Sequence, residues 1–150
     1  KMAAELLLNQ YHPMMVIINL RLFMPYGDGQ HEKMLIPNLV HRVREGIPIE
    51  LHGNEGLLTN PIAIADVVET IDRCLEIDTT VTLNVAGPDV LSLRQVGEQI
   101  GHVLGKEPVF QCHPGETAPV IVGDTSRLKE TLGWVPDIKF EPGLRHWLGK

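Results

Sequence analysis

The sequence predicts an α/β fold in which short strands alternate with amphipathic helices. Three observations lead there. "MMVIINLRL" at 14–22 is rich in β-branched residues and apolar on both alternating faces, as expected of a parallel-sheet strand covered by helices on two sides. The segments 36–46 and 92–105 repeat apolar residues at helical spacing and end on glycine. "VTLNVAG" at 81–87 is a second compact strand signal between two helical stretches. Strands and helices that alternate along a chain point to a sheet with helices packed on it.

The elements follow in order. "KMAAELLLNQYH" sets Ala4, Leu7, Leu8 and Tyr11 on one helical face. No Ser, Thr, Asp or Asn precedes them to cap the free N–H groups. The opening therefore reads as a cut inside a helix, with a frayed but genuine first helix as the alternative. After the strand at 14–22, "MPYGDGQHEK" is a Pro/Gly-rich loop. The next helix buries Ile36, Leu39, Val40 and Val43, with Pro37 in its first turn and Gly46 after its last. "PIELHG" and "LLTNPIAI" are short extended runs. Asp66, three residues ahead of Glu69, has capping-box spacing and is expected at the N-cap of a helix whose stripe is Val67, Val68, Ile71 and Leu75. Ser92 with Gln95 predicts a second capping box, ahead of a stripe of Leu93, Val96, Ile100, Val103 and Leu104. "PVFQCH" is a strand, "DTSRLKETLG" a short helix stopped by Gly133, and "EPGLRHWLG" a last helix with Pro142 near its start. Trp134 and Trp147 are expected to pack between the closing helices.

Composition narrows the function classes. The 150 residues suit one domain or parts of two, and 43% hydrophobic content allows a core. A net charge of -6, with no basic run, argues against nucleic acid and anionic membranes as partners. The apolar run "MMVII" is far shorter than the roughly 20 residues a bilayer span takes. Two cysteines make no disulfide framework, so a cytoplasmic location is expected. The seven histidines form no ligand spacing, and no metal is expected.

Five segments together resemble a known family. "KMAAELLLNQY" looks like the stretch that follows the tyrosine of a Y-x-x-x-K motif, with Lys1 as its lysine. "LRLFMPYGDG" is similar to R-x-F-N-x-Y-G-P-G. "NPIAIADVVETIDRCLE" resembles V-D-D-V-A followed by a helix. "LNVAGPDVLSLRQVGEQIGHVLGK" and "DTSRLKETLGWVPDIKFEPGL" resemble the closing strand, helix and L-G-W-x-P element. Each is weak alone, but their order along nearly the whole chain is that of the C-terminal half of extended short-chain dehydrogenases/reductases, the NAD-dependent epimerases and dehydratases. The resemblance implies the C-terminal part of a Rossmann-type doubly wound sheet plus a smaller α/β substrate-binding lobe. Residues 1–24 and 59–90 would belong to the dinucleotide-binding lobe, and 25–58 and 91–150 to the substrate lobe. No glycine-rich G-x-G-x-x-G loop follows a strand in these residues. "GDG" at 27–29 reads as a turn.

The resemblance also implies site residues. Lys1 would hold the ribose of NAD or NADP and lower the pKa of the acid/base tyrosine one helical turn away. A solvated lysine is the plain alternative. Phe23, Met24 and Pro25 would meet the nicotinamide, where ligands of open α/β sheets sit at the carboxyl ends of strands. A core phenylalanine followed by a turn fits the same residues equally well. Met24, Tyr26 and Thr59 would face the substrate. His31, with Gln30 and Lys33, follows the Gly-rich loop and by that position reads as lining a substrate pocket. A solvated loop is the competing reading of 30–33. Two departures from the family stand out: Met24 replaces a frequent asparagine, and Thr59 stands where many nucleotide-sugar members carry arginine. Neither replacement grips a diphosphate as well as the residue it displaces, so Thr59 also reads as a strand residue without a ligand.

The expected function is the C-terminal part of an epimerase, dehydratase or reductase for a sugar-type small molecule, inactive by itself and a homodimer in its intact form. The alternatives are a non-catalytic dinucleotide-binding sensor or scaffold of the same fold, and a free-standing α/β interaction module.

Overall fold

The computed structural model describes residues 1–150. Helix α1 (Met2–Asn9) leads to β1 (Ile18–Leu22) and the two-residue β2 (Pro25–Tyr26). Helix α2 (Leu35–Glu45), β3 (Ile49–His52), β4 (Leu58–Thr59) and β5 (Ile62–Ala63) follow. Then come α3 (Ile64–Cys74), β6 (Val81–Val85), β7 (Leu91–Ser92) and α4 (Leu93–Leu104). The chain closes with β8 (Phe110–His113), β9 (Val120–Ile121), α5 (Ser126–Leu132) and α6 (Phe140–Leu148). The pairings β1–β6, β2–β5 and β3–β8 are parallel, and β4 sits between antiparallel β7 and parallel β9. This is the α/β class expected from the alternation.

Two apolar clusters hold these elements. The larger joins Tyr26, the α2 face (Ile36, Leu39, Val40, Val43), Ile49 and Leu51 of β3, Val96, Ile100 and Val103 of α4, and Phe140 and Leu144 of α6. Burying one such side chain contributes about 1.5–3 kcal/mol. The smaller cluster joins Ile62, Val67, Cys74, Val81, Leu83, Val85 and Leu128.

The helices with clear stripes behave as their sequences dictate. Gly46 and Gly105 end α2 and α4 in the left-handed conformation, where a side chain would be strained. Ser92 and Gln95 form the full capping box of α4. Asp124 accepts the backbone N–H of Ser126 and so stabilises the start of α5.

Several expectations need correction. The strand at 14–22 shortens to 18–22, because Met14 and Met15 close a turn by donating to the Tyr11 carbonyl. It is not covered on both faces: Asn19 is its one buried residue, and Arg21 and Leu22 are exposed. Ala4, Leu7, Leu8 and Tyr11 are all exposed, and Glu5 is the one partly buried residue of α1. In α3 the buried face is Asp66, Val67, Thr70 and Cys74, while Val68, Ile71 and Leu75 face out. Asp66 is not the N-cap. The helix starts at Ile64 after Ala63, and the Asp66 carboxylate instead accepts the backbone N–H of Ile138 at 3.1 Å. Trp147 does pack beside Tyr26. Trp134 lies under the guanidinium of Arg73, a residue of α3 rather than of a closing helix.

Candidate functional site

Strand β1 delivers the chain into a cleft of about 590 Å³ at its carboxyl end. Leu20, Leu22, Phe23, Met24, Pro25, Ile36 and Ile121 give it a largely apolar wall, and Lys1, Glu5 and Arg21 form its charged rim. The ladder to β6 fixes the approach: Arg21 pairs with Asn84, Leu22 with Val85, and the Phe23 N–H donates to the Val85 carbonyl at 3.0 Å. The chain then turns sharply. Met24 has φ 42°, the one residue other than glycine in the left-handed region, where a Cβ meets the following carbonyl. Gln30 ties the loop back by donating from Nε2 to the Pro25 carbonyl at 2.6 Å.

The rim is an ordered arrangement of charge. Arg21 grips Glu5 through two bonds, Nε to Oε1 at 3.0 Å and Nη2 to Oε2 at 2.6 Å. Bonding to Arg21 holds the Glu5 carboxyl below the usual glutamate value, and the same contact raises the guanidinium's. Lys1 shares this rim and takes part in no ion pair.

Of the residues singled out in the sequence, Lys1, Phe23, Met24, Pro25 and Gln30 line this one cleft. Tyr26, His31 and Thr59 do not. Tyr26 turns into the core, edge-on to Phe140 at 5.1 Å between ring centres, and its hydroxyl donates to the Phe140 carbonyl at 3.4 Å. Burial, with Asp66 and Asp89 nearby, pushes the Tyr26 phenol far up, so it stays protonated. His31 is exposed and accepts the Lys33 backbone N–H at Nδ1. Thr59 is fully buried in the middle strand of the β7–β4–β9 sheet, and its hydroxyl finds no partner. Glu5 and Arg21 were missed as site residues. The spacing of Lys1 and Glu5, four apart on one helix face, was the available signal.

No family model matches the chain. It is 29% identical over 133 residues to the dTDP-4-dehydro-6-deoxyglucose reductase of Escherichia coli, covering 85% of this chain and 42% of that protein. It is 27% identical over 150 residues to the UDP-glucuronate 4-epimerase of Thermodesulfobacterium geofontis, covering 97% and 46%. The chain thus spans less than half the length of these curated relatives. Its fold matches the UDP-glucuronic acid 4-epimerase of Bacillus cereus, solved with UDP-glucuronic acid and NAD, at a TM-score of 0.83 and 21% identity, over 99% of this chain and 50% of the other. The chain's homologues and structural neighbours are NAD-dependent epimerase/dehydratase proteins of the extended short-chain dehydrogenase/reductase family, and the part of them it matches is the C-terminal half.

Proposed function

We propose that this chain forms the nicotinamide-and-substrate edge of an NAD(P)-dependent enzyme that epimerises, dehydrates or reduces a nucleotide-sugar-like molecule. The observation that carries this reading is the cleft at the end of β1, which gathers Lys1, Phe23, Met24 and Pro25. The residues there suit a nicotinamide nucleotide: an apolar wall for a flat ring, and a cation at the rim for ribose hydroxyls. When bound, the nicotinamide supplies hydride exchange with a substrate carbon.

The chain's own residues do the rest. The Lys1 ammonium donates hydrogen bonds to the ribose, and its charge favours the ionised form of a tyrosine placed one helical turn before it in the intact protein. Phe23 and Pro25 would give a bound nicotinamide an apolar wall that limits access of water. Met24 brings a thioether where an amide is frequent, so it offers the substrate packing but no strong hydrogen bond. Ligand contact is assigned to this cleft, and not to Tyr26 or Thr59, which are buried elsewhere. In this reading residues 1–24 and 59–90 belong to the dinucleotide-binding lobe, and 25–58 and 91–150 to the substrate lobe. This division is supported by the two apolar clusters, although Ala63 joins the larger and Leu128 the smaller.

The polar poverty of Met24 also favours a second reading, a dinucleotide-binding sensor without turnover. One experiment separates them. In the intact protein, Lys1→Met is expected to lower turnover by roughly 100-fold and to raise the apparent pKa of the acid/base group. A protein that binds NAD and turns over no nucleotide sugar would favour the sensor. An unmoved pH–rate profile in an active enzyme would refute the role of Lys1.

A further inference from the structure

The rim of the cleft poses a problem of partition. Lys1 is the N-cap residue of α1 and stands four residues ahead of Glu5, the spacing at which lysine and glutamate pair on a helix surface. A carboxylate bonded to Lys1 would cancel the charge that the proposed chemistry needs. Yet Arg21 bonds to both Glu5 oxygens in a two-point grip that orients the carboxylate toward β1, and Lys1 has no carboxylate partner. Arg21 can hold that position because β1 fixes its backbone against β6, and a planar guanidinium matches a carboxylate at two points. The order of the helix pair helps, since lysine placed before glutamate is the weaker arrangement.

We propose that Arg21 is a positioning residue: by sequestering Glu5 it keeps the Lys1 ammonium unpaired and available to cofactor and tyrosine. This rests on the reading of Lys1 given above. No other ionisable side chain lines the cleft; Gln30 is neutral and the remaining wall apolar. Among side chains, the charge balance at the rim is therefore set by Lys1, Glu5 and Arg21.

The test compares four variants of the intact enzyme: Arg21→Gln, Arg21→Lys, the double variant Glu5→Gln with Arg21→Gln, and Lys1→Met. Arg21→Gln frees Glu5 to pair with Lys1. It is expected to lower kcat/KM about tenfold and to raise the apparent pKa of the tyrosine limb by about one unit. Arg21→Lys, which holds the carboxylate at one point, should fall between. The double variant removes the freed carboxylate as well, so it should recover most of the activity and return the pH profile toward wild type. If Arg21→Gln does not fold, Arg21→Lys and the double variant carry the comparison. A double variant as impaired as the single one, or an Arg21 series whose pH profile does not move, overturns the proposal. An Lys1→Met profile that does not move overturns the underlying reading instead, and so the two failures are told apart.

Discussion

The carboxylate of Asp66, in the first turn of α3, accepts the backbone N–H of Ile138 at 3.1 Å across 72 residues of chain. Asp89 does the same for Phe140 at 2.8 Å. Two acids thus satisfy the N–H groups that lead into α6, which has no side-chain cap of its own. Burial raises the Asp66 carboxyl above the usual aspartate value despite the bond from Ile138. A raised native pKa means the folded state binds the proton more tightly than the unfolded one. The stability due to Asp66 is then full below the ordinary aspartate range and shrinks as pH rises through the native value. Asp66→Ala is expected to cost about 1–3 kcal/mol by orphaning the Ile138 N–H. Urea denaturation should show that cost narrowing from acid to neutral pH, and a constant gap would contradict the assignment.

Gly143 lies against Tyr26. A Cβ at this position would strike the Tyr26 hydroxyl and come within 3.0 Å of the Ile138 side chain. In an open helix, Gly→Ala gains about 1 kcal/mol. Here the added methyl overfills a closed core, a change that costs typically about 1–3 kcal/mol. Gly143→Ala should therefore destabilise, and Tyr26→Phe should recover part of the loss by removing the struck oxygen. Thermal melts of the single and double variants measure this coupling directly.

The parts of the fold that were legible are those where polarity and burial agree. Helices α2 and α4 present an unbroken apolar stripe and end on glycine, so periodicity alone places them. Helix α3 was set in the wrong phase for a physical reason. Its core face carries Asp66 and Thr70, both satisfied internally: Thr70 donates to the Asp66 carbonyl at 2.7 Å. Meanwhile Val68, Ile71 and Leu75 are left outside. A stripe read from hydropathy cannot see a buried acid that has found a distant N–H. The two-residue strands β7 and β9 carry no period to detect. At the cleft, Lys1 and the 23–25 turn were visible through local resemblance. The Glu5–Arg21 pair was not, because it joins a helix to a strand 16 residues later and depends on how the two dock.

Met24 carries a backbone strain that its side chain does not relieve. At φ 42° a left-handed residue other than glycine costs roughly 1–2 kcal/mol, and asparagine accepts this region more readily than methionine. Met24→Asn is expected to raise stability by about 0.5–1 kcal/mol. The measurement is a pair of urea curves with equal slopes and a shifted midpoint. The same change puts an amide donor and acceptor into the cleft, so KM for a hydroxyl-rich or phosphorylated substrate should fall. A loss of stability would mean that thioether packing outweighs the turn.

Thr59 poses the sharpest choice between fold and function. Its strand lies between β7 and β9, and its hydroxyl is fully buried and bonds to nothing. An unsatisfied buried group of this kind costs about 1–3 kcal/mol, whereas removing it without changing shape costs nothing. Valine has that shape. Thr59→Val should therefore stabilise the protein by roughly 1 kcal/mol and leave substrate KM where it was. Thr59→Arg should do the opposite of adding a phosphate clamp: it forces a guanidinium into a fully buried position, and a charge left unpaired there costs about 3–5 kcal/mol. Melting curves and KM for a nucleotide sugar, taken on both variants, separate the roles. A valine variant that melts no higher and binds substrate several-fold more weakly would show that the hydroxyl serves a ligand after all.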